Sequence, residues 1–445
     1  MKKDKQIVKM RIPARIQQQM LIDLQRKHPF AYERVGFLFT KSKKLTNKTM
    51  LVLATEYVPV ADEDYVEDKT VGARINSTSI RKAMQTIFDN KGGCFHVHLH
   101  DHSGIPGPSS TDKKGLPGVA ESFSNISGEQ VNGILILSHD SFYCTVKIKE
   151  KKKFVLPASV SAVGYPMNQQ FNNVRRIEKN DVFQRQSFLG KKSNHLFENV
   201  KVGIIGYGGG GSHIGQQLAH IGVRNIVVFD DDKIEGSNMN RLVGGWFRDI
   251  KKSLLKTAIA KRVIKKILPS AKPECINSRW QDNPDKLQEC DVVLGCVDSY
   301  AERQQLEAEC RHYLIPYIDI GMDVYEEEDK SYSMPGQVIL SMPGQACMRC
   351  FGFLTDEKLG EEAARYGKVG GRPQVVWPNG VLASTAVGIF VDLVTGWSRQ
   401  KDKTIYLTYE GNTGIIKDHV RARFAPEECE HYPFSEAGPP MYKKL

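Results

Sequence analysis

The segment 201–230 constrains the fold of this 445-residue chain more than any other. In order, it contains an apolar strand over 201–205, a glycine-rich turn from Gly206 to Gly211, a helix over 212–221 and a second strand over 225–230. A strand that passes through a tight glycine turn into a helix and then a second strand is typical of a βαβ unit. Apolar runs at 291–296 and 317–320 continue the pattern, so we expect a doubly wound parallel sheet between 181 and 445.

The length exceeds what one hydrophobic core normally organises, so we expect more than one domain. Before the glycine turn, short apolar runs alternate with an amphipathic segment at 80–88, which predicts a separate α/β domain with a central sheet. These runs are 36–40, 50–53, 94–99, 133–138 and 142–148. A polar stretch rich in Asn and Gln then predicts a linker. The expected boundaries are 1–155 for the first domain, 156–180 for the linker and 181–445 for the second domain.

The net charge of +11 and the pI near 9.0 would suit a polyanionic partner. The lysines are scattered and not interleaved with aromatics, however, so we predict a solvated basic surface and no nucleic-acid partner. The basic start lacks an apolar stretch behind it, and no run of about 18 apolar residues could span a bilayer. We therefore expect a cytoplasmic protein with no membrane partner. Nine cysteines in a reducing compartment are expected to be thiols or metal ligands.

A histidine-rich strand followed by a loop that ends in a carboxylate predicts a metal site in the first domain. His98 and His100 are two residues apart and point to one face of a strand, and Asp112 can add an oxygen ligand. Three protein ligands leave a fourth position for a water molecule, which zinc activates as a nucleophile. Glu33 could take the proton of that water, and Ser109 could donate to the oxyanion that develops at the attacked carbonyl.

Residues 8–150 resemble the JAMM/MPN family of zinc isopeptidases, whose pattern is an upstream Glu, then His-x-His, then Ser-x-x-Asp. The resemblance implies the same roles: zinc ligands for the two histidines and Asp112, general base for Glu33 and oxyanion donor for Ser109. It also implies hydrolysis of a peptide or isopeptide bond.

The spacing of this pattern leaves the histidine pair open. Eight residues separate His100 from Ser109, where the family usually has seven. A pair of His96 and His98 would leave ten residues, and a pair of His100 and His102 would leave six. We favour His98 and His100 because they lie closer to the apolar strand, with His96 or His102 as the alternative ligand.

The glycine turn predicts a nucleotide site, although G-x-G-x-x-G alone does not distinguish ATP from nicotinamide or flavin. Backbone N–H groups at the start of the following helix can approach a phosphate closely. Asp230 ends the next strand, where an acidic residue can hold ribose hydroxyls. The expected phosphate-binding positions are Gly206, Gly208, Gly209 and Gly211.

The residues after the second strand favour ATP. Asp232, Asn238 and Arg241 place a carboxylate, an amide and a cation beside the nucleotide, and Lys256 follows on the next helix. Such a set neutralises a triphosphate while its α-phosphorus is attacked, whereas hydride transfer needs none of it. Asp298 ends a later buried strand with a carboxylate that suits Mg²⁺.

From about Phe183 to the C-terminus the chain closely resembles the MoeB/ThiF adenylating fold, which the enzymes that activate ubiquitin share. Carried over position by position, the resemblance implies ribose binding by Asp230, phosphate contacts by Asn238, Arg241 and Lys256, and magnesium binding by Asp298. It also implies a homodimer through this domain, because Arg185 matches an arginine that reaches the active site of the partner subunit.

Two cysteine-containing segments predict a structural zinc site. Cys347 and Cys350 form a Cys-x-x-Cys knuckle, and Cys429 and His431 lie near the C-terminus. Three sulfurs and one imidazole complete a closed tetrahedral site. The MoeB/ThiF family often carries two Cys-x-x-Cys pairs at these places, and here the second pair is Cys-x-His.

The segment 354–379 contains no cysteine, whereas relatives that form a thioester carry one there; Val376 stands where we would look for it. Cys296 lies on a predicted core element and is expected to pack. We therefore predict an acyl-adenylate that is handed directly to a nucleophile of another protein. A thioester on Cys275 or Cys290 is the alternative.

Together these features predict a bifunctional enzyme of a bacterial ubiquitin-like pathway. Its second domain would use ATP and Mg²⁺ to adenylate the C-terminal glycine of a small ubiquitin-like protein, and a conjugating enzyme would be the next partner. Its first domain would use zinc to cleave after that glycine. The alternative enzyme activates and processes a sulfur carrier of thiamine or molybdopterin synthesis. A non-catalytic scaffold of two degenerate domains is a third possibility, against which the catalytic residue types argue.

Overall fold

The structure, a computed structural model, describes residues 6–27, 29, 31–46, 48–68, 70–149, 153–172, 181–364 and 373–438. The chain divides into two compact units. Among the described residues, unit 1 comprises 6–172 together with 433–438, and unit 2 comprises 181–432.

Unit 1 is built on one mixed sheet with helices on its faces. In chain order its elements are β1 (Ile7–Pro13), α1 (Ala14–Leu24), β2 (Val35–Lys44), β3 (Thr49–Pro59), α2 (Ser77–Asn90), β4 (Gly93–Leu99), α3 (Ser110–Ile126), β5 (Asn132–Leu137), β6 (Phe142–Lys147), β7 (Ser159–Val163) and β8 (Asn168–Phe171). The strand order is β6-β5-β4-β2-β3-β1-β7-β8. All seven residues of β4 are buried, so this histidine-rich strand lies in the interior of the sheet.

Side-chain caps fix where α2 and α3 of unit 1 begin. The Asn76 side chain accepts hydrogen bonds from the N–H groups of Thr78 and Ser79 at the start of α2. At the start of α3, Ser109 and Asp112 form a reciprocal capping box, in which each side chain accepts from the backbone N–H of the other. This box brings the predicted ligand Asp112 into the first turn of a helix.

The predicted strands and the 80–88 helix of the first domain correspond to β2–β6 and α2. The predicted linker differs, because β7 and β8 lie within 156–180; residues 173–180 are outside the described residues. All five residues of β7 are buried, and β7 pairs in parallel with β1. Because Ser159 and Ser161 interrupt the apolar run, the hydrophobicity pattern does not predict this strand. The segment 433–438, predicted as part of the second domain, also belongs to unit 1, where Phe434 packs against the core.

Unit 2 is a second α/β unit. Its elements are α4 (Ser193–Asn199), β9 (Lys201–Ile205), α5 (Gly209–His220), β10 (Asn225–Phe229), α6 (Phe247–Lys251), α7 (Lys256–Ile267), β11 (Glu274–Ile276), α8 (Pro284–Gln288), β12 (Val292–Gly295), α9 (Tyr300–His312), β13 (Tyr317–Met322), β14 (Tyr325–Glu326), β15 (Tyr332–Ser333), β16 (Pro335–Ser341), α10 (Asp356–Ala364), α11 (Val376–Thr395), β17 (Ile405–Glu410) and β18 (Ile415–Asp418). The main sheet has the order β11-β10-β9-β12-β13-β16-β17-β18.

The first five strands of this sheet are parallel and the remaining three antiparallel. The βαβ unit β9-α5-β10 is as predicted, and the antiparallel extension was not predicted. From β9 the chain goes first to β10 on one side and later to β12 on the other, so the strand order reverses between β9 and β12. In an open parallel sheet, a ligand binds in the crevice outside the carboxyl ends of the strands at this point.

Contrary to the expectation that no apolar run could span a bilayer, helix α11 is long and apolar enough to cross a membrane by length and composition alone. Of its most apolar 18-residue window, 67% is buried inside the protein. Its side chains pack against α5 and the sheet of unit 2, so we interpret it as a core helix.

Candidate functional site

A cavity of about 400 Å³ lies in the crevice of unit 2, at the point where the strand order reverses. The predicted nucleotide residues that line it are Gly206, Gly208, Gly209, Asp230, Asp232, Asn238, Arg241, Lys256 and Asp298. The fold therefore brings together residues that are up to 92 positions apart in the sequence.

The glycine turn forms the floor of this cavity. Gly206 has a φ of +84°, which L side chains rarely adopt. A Cβ atom on Gly211 would lie 2.0 Å from the Gly206 carbonyl oxygen, so a glycine is needed here for the turn to close onto α5. Because α5 begins at Gly209, its free backbone N–H groups are available to an anion in the cavity.

Asp230 is held between the glycine turn and the loop that follows β10. One carboxylate oxygen accepts from the Tyr207 N–H at 2.6 Å and the other from the Asp232 N–H at 2.9 Å. Burial raises the pKa of Asp230, and Lys256, whose Nζ lies 4.0 Å from the carboxylate, opposes this shift. The carboxylate is thus fixed at the end of its strand, where it can accept from ribose hydroxyls.

Two cations and an amide are positioned around the same space. Lys256, the first residue of α7, makes a 2.6 Å ion pair with Asp232. The Arg241 guanidinium donates to the Ser237 carbonyl at 2.7 Å, and Asn238 accepts from the Glu235 N–H at 2.9 Å. These bonds fix side chains that line the cavity. The positive charges of Arg241 and Lys256 can there contact phosphate oxygens.

Asp298 lies just beyond β12 and accepts a 3.2 Å hydrogen bond from the side-chain amide of Gln374. It lines the cavity together with Glu302, and β12 lies on the other side of β9 from β10. Carboxylate oxygens at the edge of a phosphate-binding cavity are the ligands that Mg²⁺ takes.

Sequence reasoning missed several further polar residues that line the cavity, among them Arg279, Glu302, Gln374 and Asn379. Arg279 follows β11, which has only three residues of intermediate burial, so the strand gave no apolar signal. The Asn379 amide lies against Gly209, and its position on α11 follows from tertiary packing.

Arg185 is exposed and is not among the described residues that line this cavity. It lies in a 3₁₀ helix at 181–189. The neighbouring Gln186 side chain donates to the Ile221 carbonyl, just beyond the C-terminal end of α5. The glycine turn lies at the N-terminal end of α5, whereas Arg185 lies near its C-terminal end. The structure therefore places Arg185 away from the glycine turn of its own chain.

In unit 1 the three predicted metal ligands converge. The Nε2 atoms of His98 and His100 are 3.2 Å apart, and each lies 3.5 Å from a carboxylate oxygen of Asp112. Two nitrogens bound to one tetrahedral zinc ion at about 2.05 Å would be about 3.3 Å apart. The donor types and their separations therefore fit zinc.

Burial would raise the pKa of Asp112, but hydrogen bonds involving His98 and Ser109 outweigh it and lower the pKa well below its usual range. Ser109, at the N-cap of α3, is exposed beside this carboxylate. A ligand atom of Glu33 lies within 4.8 Å of those of both histidines. Glu33 and Asp112 thus both lie close to the two histidines, and Ser109 is hydrogen-bonded to Asp112.

The other two histidines lie differently. His96 is 5% exposed and packs edge-to-face against Phe37 and His98. His102 is exposed, and its Nδ1 lies 2.9 Å from the Ser103 carbonyl. Among the described residues, the histidine atoms within 3.5 Å of Asp112 are those of His98 and His100.

The predicted structural zinc ligands in unit 2 also cluster. Cys347 and Cys350 sulfurs are 3.6 Å apart, Cys350 and Cys429 sulfurs are 3.8 Å apart, and His431 Nδ1 lies 3.4 to 3.9 Å from all three. Sulfurs bound to one tetrahedral zinc ion at about 2.3 Å would be about 3.8 Å apart. A hydrogen bond with Cys347, together with Arg311 and His431, lowers the pKa of Cys429 below its usual range against the effect of burial. The set fits a closed zinc site.

Buried polar residues on α9 form hydrogen bonds with the backbone of the cysteine knuckle. Arg311 donates to the carbonyls of Gln345 and Ala346 at 2.8 and 2.7 Å. Glu307 accepts from the Met348 N–H at 2.8 Å. The backbone on both sides of Cys347 is therefore fixed by side chains.

The described parts of 354–379 place Val376 at the start of α11, with residues 365–372 outside the described residues. Cys296 follows β12 and lines the nucleotide cavity, and burial raises the pKa of its thiol. Burial of this kind disfavours the thiolate that a thioester-forming cysteine needs.

Sequence relatives match part of the chain. Ubiquitin-like modifier-activating enzyme 5 of Drosophila virilis is 30% identical over 174 residues, which are 36% of this chain and 41% of that protein. The protein of the same name from Dictyostelium discoideum is 28% identical over 167 residues, which are 34% of this chain and 41% of that protein. The matches thus span about two fifths of the length of these relatives.

Among solved structures, Escherichia coli MccB crystallised with ATP is 20% identical with a TM-score of 0.43, over 54% of this chain and 71% of that one. A family model described as the ThiF family matches residues 183–431. The matched region contains β9 to β18, the cavity at the glycine turn and the cysteine knuckle. Because the match extends over more than half of its residues, the chain belongs to the ThiF family.

Proposed function

We propose that unit 2 catalyses the ATP-dependent adenylation of the C-terminal glycine of a small ubiquitin-like protein. The observation that carries this proposal is the cavity in which the glycine turn, Asp230, two cations and Asp298 meet, in a chain of the ThiF family. The printed names of the sequence relatives, ubiquitin-like modifier-activating enzymes, agree with this substrate class.

Each residue has a part in the proposed reaction. The α5 N-terminus, Arg241 and Lys256 hold the triphosphate and stabilise charge on it, while Asp230 accepts from the ribose. Asp298 would hold magnesium, which when bound neutralises phosphate charge. A carboxylate oxygen of the terminal glycine then attacks the α-phosphorus and the bond to pyrophosphate breaks. The products are an acyl-adenylate and pyrophosphate.

Exchange of labelled pyrophosphate into ATP tests this proposal. It should require a small protein that ends in glycine and stop when that glycine is removed. The acceptor separates the two pathways: transfer to the cysteine of a conjugating enzyme supports the leading proposal, and transfer to a sulfide donor supports a sulfur-carrier activator. No exchange with any such carrier would refute adenylation.

We further propose that two copies form a homodimer in which Arg185 completes the partner's site. Its exposure and its absence from the described lining of its own cavity support this. An Arg185→Ala protein and an Arg241→Ala protein should each be inactive in exchange. Mixed so that subunits redistribute, they should regain about a quarter of the wild-type rate, because half the dimers then contain one intact site. No recovery in a verified mixed dimer would contradict shared sites.

For unit 1 we propose zinc-dependent cleavage of the peptide or isopeptide bond after the same glycine, either to process a precursor or to release the protein from its targets. The convergence of Glu33, His98, His100 and Asp112 supports this. When bound, zinc would polarise the scissile carbonyl and activate a water molecule as the nucleophile.

The side chains of this site would divide the remaining work. His98, His100 and Asp112 would hold the metal. Glu33 takes a proton from the attacking water and returns it to the leaving amine. Ser109 would donate its hydroxyl hydrogen to the oxyanion. Both activities then act on the acyl group of the terminal glycine: unit 2 activates it for transfer, and unit 1 releases it by hydrolysis.

The two zinc sites predict a metal content that can be measured. The purified chain should contain about two zinc ions, held by unrelated ligand sets. His98→Ala should lose one ion and retain the melting temperature of unit 2, whereas Cys347→Ser should lose the other and lower that temperature, because a structural zinc contributes folding free energy. Elemental analysis with calorimetry checks both. Retention of both ions in either variant would refute that site.

A further inference from the structure

The backbone that carries Glu33 is hydrogen-bonded to one residue of a distant loop. The N–H groups of Tyr32 and Glu33 both donate to the Gly72 carbonyl at 2.9 Å. On the other side, Arg34 is 4% exposed, and its guanidinium donates to the Lys27 carbonyl at 3.0 Å and to the Asp62 carboxylate at 2.7 Å. The main chain at 32–34 is thus held from both directions.

The Glu33 carboxylate lies directly over the α-carbon of Gly72. A Cβ atom on Gly72 would be 2.5 Å from Oε2 and 2.7 Å from Cδ of Glu33, much closer than two such atoms can approach. Gly72 has no φ in the left-handed region, so the backbone here would accept an alanine. The glycine is therefore required by the space that the carboxylate occupies.

We infer that Gly72 is a positioning residue for Glu33: its carbonyl holds the backbone of the base, and its missing side chain admits the carboxylate to its place beside His98 and His100. The inference rests on the proposed hydrolysis in unit 1. A methyl group at 72 would push the end of a flexible side chain, which can move without unfolding the protein. Proton transfer requires hydrogen-bond reach, so a displaced carboxylate loses its function as a base.

The test compares Gly72→Ala with Gly118→Ala in the full-length zinc protein. Gly118 lies on α3, and a Cβ atom there would meet open space. With a carrier fused through its terminal glycine to a reporter, Gly72→Ala should lower kcat by about a hundredfold, as expected for a misplacement of about 1 Å, and leave KM unchanged. Gly118→Ala should cleave at the wild-type rate.

Two readouts separate positioning from a general structural effect. Zinc affinity, measured by competition with a chelator, and the melting temperature should be unchanged in Gly72→Ala. With Co²⁺ as the probe, the pH midpoint of the visible absorption change should move in the same direction in Gly72→Ala as in Glu33→Gln. Loss of metal affinity or an unmoved midpoint would overturn the inference.

A double-mutant cycle completes the test. If Gly72 acts through Glu33, the Gly72→Ala/Glu33→Gln protein should be no slower than Glu33→Gln alone. Additive losses, or a wild-type rate in Gly72→Ala, would overturn the role of Gly72 while leaving hydrolysis by unit 1 intact. If the wild-type zinc protein cleaves no carrier fusion, the proposed function itself fails.

Discussion

Arg241→Ala and Asp298→Ala are each expected to lower carrier-dependent ATP–pyrophosphate exchange by about a hundredfold or more. Both residues line the cavity at the glycine turn, from opposite loops. Arg241 would compensate charge on the phosphates, and Asp298 would hold the magnesium that does the same. Removal of either leaves the negative charge that develops on the phosphates without a positive partner.

The control for this pair is Arg423→Ala, which removes an exposed arginine of the same unit that does not line the described cavity. It should leave exchange unchanged. Titration of ATP and of Mg²⁺ separates the two roles. Arg241→Ala should weaken the binding of ATP, and Asp298→Ala should raise the magnesium concentration that gives the half-maximal rate. If neither variant slows exchange while both bind the carrier, the cavity is not the adenylation site.

The nucleotide cavity could be predicted in large part from the sequence because its residues follow strands. Asp230 comes immediately after β10 and Asp298 three positions after the end of β12, and the carboxyl ends of parallel strands meet at one edge. Arg279 and Asn379 could not be predicted in this way. The first follows a strand of three residues, and the second reaches Gly209 from a helix that is 170 positions later in the chain.

The proposed metal site shows where the spacing of residues in the sequence is insufficient to identify the ligands. Counting residues between His100 and Ser109 left two alternative histidine pairs, since the conformation of the intervening loop was unknown. The capping box of α3 supplies the missing constraint: it fixes Asp112 in the first helical turn, with its oxygens 3.5 Å from His98 and His100. The contact between Gly72 and Glu33 has no sequence pattern at all, because it joins two loops across the fold.

Strand β7 illustrates a different failure. Its alternating serines read as a polar linker, yet both serines are buried in the sheet, at 2% and 3% exposure. Small hydroxyl residues satisfy their hydrogen bonds locally and fit a packed strand next to β1, so their polarity does not predict exposure. Unit 1 therefore extends beyond residue 156, where the linker was predicted to begin.

Glu33→Gln is expected to slow cleavage of a carrier fusion by two to four orders of magnitude, about the contribution of a general base. The amide keeps the size and shape of the carboxylate over Gly72 but cannot take a proton from water. Zinc content should stay at the wild-type level, because His98, His100 and Asp112 are unchanged. Glu63→Gln, at an exposed position of the same unit, should cleave normally.

The same variant also tests whether the two chemistries are separate. Glu33→Gln should adenylate the carrier at the wild-type rate, and Arg241→Ala should cleave the fusion at the wild-type rate, because the two sets of residues lie in different units. The two variants assayed side by side for exchange and for cleavage give four rates. If Glu33→Gln cleaved as fast as the wild type, the base would lie elsewhere; if it also lost exchange, the two activities would not reside in independent sites. Loss of cleavage alone in Glu33→Gln and loss of exchange alone in Arg241→Ala would show that the two reactions take place at separate sites.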